Sequence, residues 1–195
     1  MITEEFIREF KKYCECYGWN FDSNSSEFTF QFRLGWFLNS YYPDIFIIDF
    51  ETNIKKFKQS DIHKKEIDIH LFNKKSQINH AIEIKYIKDK SGYDISLFEM
   101  CKDIKFIEKL VENENFKTSY SIAFSIISKA YTPPKKGIYK TNGQRLHFYK
   151  CFRENHCIKG NIYRNEKQQF DFTNEYKLDW FDFTDDIKVC IVKIE

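Results

Sequence analysis

Apolar and polar positions along this chain alternate in blocks of helical and of strand period. Phe6, Ile7, Phe10, Tyr13, Cys14 and Tyr17 recur every three or four residues, which predicts an amphipathic helix over 3–17 stopped by Gly18. A second helix is expected from about Asn24, with Glu27 three residues on as its capping-box partner, running through Phe28, Phe32, Leu34, Trp36, Phe37 and Leu38 to about Tyr41. Beyond Pro43, the run 45–48 reads as a short strand. Residues 65–72 and 81–87 then alternate with period two, joined by a polar connection that suits a hairpin with a longer loop. A capping box at Ser96 and Glu99 predicts a helix through Leu97, Met100, Cys101, Ile104, Ile107, Leu110 and Val111. The apolar run 120–127 reads as a buried central strand, and strand, helix, strand in that order predicts a right-handed crossover between parallel strands. Pro133-Pro134 opens a polar, basic stretch, followed by weak strand signals at 158–163 and a clearer one at 189–194.

The hairpin carries the chemistry. Alternation puts Ile67, Ile69 and Leu71 on one face of the first strand and Glu66, Asp68 and His70 on the other. Ile82, Ile84 and Tyr86 share one face of the second strand, with Glu83 and Lys85 opposite. Pairing the greasy faces gathers Asp68, Glu83 and Lys85 on one surface. Two carboxylates and an ammonium in that arrangement suit a divalent cation and a positioned water, the elements of metal-assisted phosphodiester hydrolysis.

Asp68, followed fifteen positions later by Glu83-Ile84-Lys85, resembles the PD-(D/E)XK nuclease superfamily, the restriction-endonuclease-like fold. In that family an acidic residue on one strand precedes a Glu-x-Lys on the next, often with a Glu on an earlier helix, here Glu27. Ile67 stands where the family name has Pro. The resemblance covers roughly residues 25–128. It implies an α/β fold with a mixed β-sheet core flanked by helices, here with a β-rich C-terminal extension. The whole chain, 1–195, would be one nuclease-like domain, its core at about 20–130 and its basic extension at about 131–195. It implies Asp68, Glu83, Lys85 and Glu27 as catalytic residues. Mg²⁺ would be held by Asp68, Glu83 and the Ile84 carbonyl, with Mn²⁺ as a substitute. Lys85 orients the water and stabilises negative charge, because an ammonium beside two carboxylates stays protonated. Alanine at Asp68, Glu83 or Lys85 is then expected to abolish cleavage and leave the fold intact.

Each residue also has a plainer role. Asp68 and Glu83 suit an exposed strand face with Lys85 as an ion-pair partner worth under about 1 kcal/mol. Glu27 suits a helix cap worth about 1 kcal/mol. Gln31 and Arg33 are expected on a solvated helix face, His70 at the surface and Asp103 in water.

Charge adds a substrate. The chain has 31 Lys and Arg against 29 Asp and Glu, a net of only +2. Residues 131–164 nevertheless hold eight basic residues and one acidic, a local +7, whereas 1–53 hold four basic and nine acidic, a local −5. The basic block includes Lys135, Lys136, Lys140 and Arg145 among aromatics, the footprint expected for a DNA backbone, with RNA as an alternative polyanion. Lys74 and Lys75 in the hairpin loop are the reserve site. Cutting both strands of a duplex favours a two-fold homodimer. No apolar run approaches the roughly 20 residues of a membrane span, and the acidic N-terminal segment is unlike a signal peptide. The six cysteines lack CxxC spacing and fit reduced thiols in a cytoplasmic protein. The sequence therefore predicts a Mg²⁺-dependent, restriction-like or defence-type endonuclease acting on DNA. The alternative is a catalytically inactive nucleic-acid-binding or structural protein of the same fold.

Overall fold

The computed structural model describes residues 2–22, 24–57, 66–112, 116–132, 157–165 and 168–195, apart from the side chains of 163–165. Lys135, Lys136, Lys140 and Arg145 lie outside the described residues. The elements in chain order are α1 (Glu4–Cys16), α2 (Glu27–Tyr41), β1 (Phe46–Asn53), a 3₁₀ turn (Ile54–Phe57), β2 (Glu66–Asn73), β3 (Ile78–Ile87), α3 (Tyr93–Val111), β4 (Ser119–Ser125) and α4 (Ser128–Tyr131). They continue with β5 (Cys157–Asn165), β6 (Gln168–Lys177), β7 (Trp180–Asp182) and β8 (Lys188–Ile194).

Six strands form one mixed sheet in the order β1-β2-β3-β4-β8-β7. β1, β2 and β3 are an antiparallel meander, β4 lies parallel to β3 across the α3 crossover, and β8 returns antiparallel to β4. The expected α/β architecture with a helix-flanked mixed sheet is present. The sheet also reaches beyond 20–130, because β8 pairs along the whole of β4. β5 and β6 form a separate hairpin whose Ile158, Ile162, Phe172 and Tyr176 pack into the core beneath α3.

A hydrophobic core lies on each face of the sheet. On one side α1 and α2 cover Ile82, Ile84 and Tyr86 of β3. On the other, α3 covers Ala81 and Ile87, so the side chains between them, Glu83 and Lys85, project toward α3. Phe30 seats α2 on the sheet, its ring 4.2 Å from that of Phe124 and 4.8 Å from that of Tyr86. The first turn of α2 is thereby fixed over the end of β3.

Both expected capping boxes are corrected. The Asp22 carboxylate accepts the Asn24 and Ser25 amides at 2.8 and 3.0 Å, a turn that delays the helix past Asn24. Ser26 becomes the cap and Thr29 its reciprocal partner, so Glu27 is the first helical residue and its side chain is released. α3 starts three residues before Ser96, at Tyr93, behind Gly92 with no side-chain cap; the Ser96 hydroxyl donates back to the Gly92 carbonyl. Ile67 departs too: it packs in the α3-side core, while Ile69 and Leu71 pack in the other. Glu51, on the strand beside it, has a positive φ of 47°, which breaks the regular pleat there.

Candidate functional site

The site is built where two strands part. Cα partners between β2 and β3 run from Asn73↔Ile78 to Ile69↔Ile82 and stop. Beyond that point β2 continues with β1, and β3 with β4. The β3 amides on the abandoned edge need acceptors, since an unmet buried donor costs about 1–3 kcal/mol. Carboxylates supply them. Asp68 Oδ2 accepts the Ile84 amide at 2.8 Å, and Glu27 Oε2 accepts the Tyr86 amide at 2.9 Å. Glu83 Oε1 in turn accepts the Asp68 amide at 3.4 Å. The N–H and C=O of one strand residue leave on the same edge, so the Ile84 carbonyl shares the edge where Asp68 sits.

Lys85 completes the group. Its ammonium lies 3.0 Å from Glu27 Oε2 and 3.8 Å from Asp103 Oδ2 on α3. Glu83 is fully buried and Asp103 nearly so, while Glu27 keeps 45% side-chain exposure and Lys85 19%. The arrangement is therefore a polar seam that opens to solvent at Glu27 and closes against α3. Buried carboxylates packed this densely need compensating positive charge. Lys85 supplies one such charge.

The donor set suits a hard divalent cation: two carboxylates, Asp68 and Glu83, joined through one amide, with a main-chain carbonyl on the same edge. Among the described residues, no group of three or more His, Cys, Asp and Glu is arranged to hold a metal ion. A site here would draw its remaining ligands from water or phosphate, as Mg²⁺ commonly does.

Several neighbours differ from expectation. Gln31 is buried rather than solvated, donating to Glu51 Oε1 at 2.7 Å and to the Asp68 carbonyl. It thus fixes the β2 backbone at Asp68. Asp103 is buried beside Lys85 instead of lying in water. His70 is 2% exposed rather than superficial, with Nε2 2.8 Å from Asn79 Oδ1 and Nδ1 3.5 Å from Asp49. Arg33 turns away, donating to the Asn20 carbonyl and covering the Phe21 ring at 4.6 Å. Tyr86 donates its hydroxyl to the Asp22 carbonyl at 2.7 Å; burial, with the Asp22 charge, pushes that hydroxyl up to about 12, so it stays a neutral donor.

Lys74 and Lys75 occupy the exposed turn at the closed end of the hairpin. Lys74 lies six positions along the chain from Asp68, a span of about 20 Å, so the two lysines are not part of this seam. Two surface cavities also lie elsewhere. One of about 440 Å³ sits between Tyr131, Trp180 and Lys188, and one of about 750 Å³ between α1 and Phe183. The buried thiols Cys14 and Cys190 are both raised by burial, Cys14 to about 12, and act as packing groups. Among the described residues, no helix is long and apolar enough to cross a membrane.

Asp103 and Gln31 carried a legible sign. Asp103 falls between Met100 and Ile107 on the apolar stripe of its helix, and Gln31 between Phe30 and Leu34 on its own. A polar residue inside an apolar stripe needs a partner in the core. Comparison of the chain with family models, with curated proteins and with solved structures finds no match.

Proposed function

We propose that this protein is a Mg²⁺-dependent nuclease that hydrolyses DNA phosphodiester bonds, an endonuclease of restriction-like or defence type. The observation that carries the reading is the parted β2–β3 edge. Asp68, Glu83, the Ile84 main chain, Lys85 and Glu27 meet there with hydrogen-bonded spacings of 2.8–3.4 Å. Carboxylates and an ammonium gathered at one strand end are the groups that bind a divalent cation and stabilise developing charge in phosphodiester cleavage.

In this mechanism Asp68, Glu83 and the Ile84 carbonyl would hold a divalent cation, which would lower the pKa of a bound water and polarise a phosphate oxygen. The Lys85 ammonium orients the attacking water and stabilises charge as it develops on the phosphorus oxygens. Glu27 and Asp103 hold Lys85 from two sides, so the ammonium is placed before substrate arrives. Gln31 keeps the Asp68 backbone in register. The basic block containing Lys135, Lys136, Lys140 and Arg145 supplies sequence-independent phosphate contacts.

One observation favours the second reading, a non-catalytic protein of this architecture. Asp68, Glu83 and Glu27 each accept a main-chain amide, a role that stabilises the strand end without chemistry. Incubation with supercoiled DNA in Mg²⁺ and in EDTA separates the two. Metal-dependent cleavage lost in Lys85→Ala supports the nuclease. DNA that stays intact under all metals supports the second reading.

A further inference from the structure

One residue beside the seam is held in a conformation that its side chain disfavours. Glu51 has a φ of 47°, in the left-handed region that a Cβ makes costly and that glycine adopts freely. Gln77, the other non-glycine residue with positive φ among the described residues, lies in the β2–β3 turn, where that conformation is ordinary. Glu51 lies inside β1 instead. Its neighbours pair regularly, Phe50 with Ile69 and Thr52 with Ile67, and the register skips Glu51 and Asp68 between them. The distortion of β1 therefore falls directly opposite Asp68.

The side chain has a defined task there. Glu51 Oε1 accepts the Gln31 side-chain amide at 2.7 Å, and the same nitrogen donates to the Asp68 carbonyl. Both partners are acceptors, so the NH₂ end of Gln31 faces them with one N–H for each. Gln31 is 4% exposed, which leaves water little part in orienting it. The bond to the Glu51 carboxylate is charge-assisted, the stronger of the two, and sets the plane of the amide. Asp68 in turn presents Oδ2 to the Ile84 amide at 2.8 Å. The contacts thus run from an exposed carboxylate on the edge strand, through a buried amide, to the acidic residue of the seam.

We infer that Glu51 is a positioning residue of the seam: its strained backbone holds the carboxylate that orients Gln31, and Gln31 fixes Asp68 for the reaction. The role in catalysis rests on the nuclease reading; the hold on Asp68 does not. Strain kept inside a strand, where glycine would relieve it, accompanies side chains that are put to use. Glu51 acts through Gln31 and touches neither cation nor substrate. Removing an outer partner of this kind costs about 10–100-fold in activity.

Three variants of the full chain test the inference: Glu51→Gly, Glu51→Ala and Glu51→Gln. Gly and Ala both remove the carboxylate, and only Gly relieves the backbone, so Glu51→Gly should melt about 2–4 °C above Glu51→Ala. Both should nevertheless cleave supercoiled plasmid in Mg²⁺ with kcat lowered about 10–100-fold and KM little changed. Glu51→Gln keeps an oxygen that accepts the Gln31 N–H and should restore most of kcat. Hydrogen exchange at the Ile84 amide reads the same placement without catalysis. It should be faster than wild type in Glu51→Gly and Glu51→Ala, and unchanged in Glu51→Gln. A Glu51→Gly protein with wild-type kcat, or with wild-type exchange at Ile84, overturns the inference. So does a Glu51→Gln protein as slow as Glu51→Gly, which would make the carboxylate a direct ligand, and so does equal melting of the Gly and Ala variants. A wild type that cuts no DNA ends the nuclease reading, and Ile84 exchange then decides alone whether Glu51 holds Asp68.

Discussion

Replacing Asp68 separates its structural from its chemical work. Its carboxylate takes the Ile84 amide at 2.8 Å on an edge where β2 has left β3, so Asp68→Ala leaves that amide without an acceptor. The penalty for one such donor is about 1–3 kcal/mol. For a chain of this length each kcal/mol moves the melting temperature by about 2–4 °C, so Asp68→Ala should melt roughly 3–10 °C below wild type. Asp68→Asn retains an oxygen able to accept the amide and should stay within about 3 °C. Both variants should lose Mg²⁺-dependent cleavage, since a neutral amide is a poor ligand for a hard cation. Differential scanning fluorimetry beside a plasmid assay reads both effects. An Asp68→Ala protein as stable as wild type would remove the structural half of the argument. An Asp68→Asn protein with full activity would remove Asp68 from the metal site. The sequence predicts that alanine here leaves the fold intact; the Ile84 bond revises that expectation.

Three further outcomes follow from named contacts. Glu108, 2% exposed on α3, accepts the Thr173 and Asn174 amides and the Tyr176 hydroxyl of the β5–β6 hairpin and pairs with Lys105. Burial alone would raise its carboxyl, but the Lys105, Asn174, Tyr176 and Thr173 donors outweigh it and lower it. A lowered carboxyl adds stability above its unfolded pKa of about 4.3, lost as pH falls through the lower folded value. Glu108→Gln should therefore cost about 3–5 kcal/mol in urea unfolding at neutral pH, a gap that narrows below about pH 4; a gap constant with pH would contradict the assignment. Asp103→Asn should lower kcat with little change in KM, Asp103→Glu should restore part of it, and equal losses in both parameters would leave Asp103 without a role in holding Lys85. Charge reversal at Lys135, Lys136 and Arg145 should weaken DNA binding whatever its sequence and flatten the log K against log salt slope by about 0.9 per lost contact, whereas an unchanged slope would show the block to be solvated surface.

Much of the sheet was legible because 81–87 alternates cleanly and the crossover helix is strongly periodic, although Ile67 leaves the face that Ile69 and Leu71 share. The pairing of Asp68 with Glu83-Ile84-Lys85 followed from that alternation. What sequence could not reach depended on tertiary competition. Asp22 captured two amides and moved the α2 start from Asn24 to Glu27, turning an expected cap into a side chain that meets Lys85. Ser96 looked like a cap, but the helix had already begun behind Gly92. The parting of β2 from β3 leaves no mark in either strand's own pattern, because it depends on which neighbour each strand follows. Asp103 and Gln31 were polar residues on apolar stripes, a signal present in the sequence and read as solvent.

The central claim is that the seam at Asp68, Glu83 and Lys85 cleaves DNA with a divalent cation. Incubating the purified chain with supercoiled plasmid in Mg²⁺, Mn²⁺, Ca²⁺ or EDTA, beside Lys85→Ala, tests it most directly. The account predicts nicked or linear product in Mg²⁺ and Mn²⁺, none in EDTA, and none from Lys85→Ala in any metal. Plasmid left supercoiled by the wild type in every metal, or cut equally well by Lys85→Ala, would contradict it.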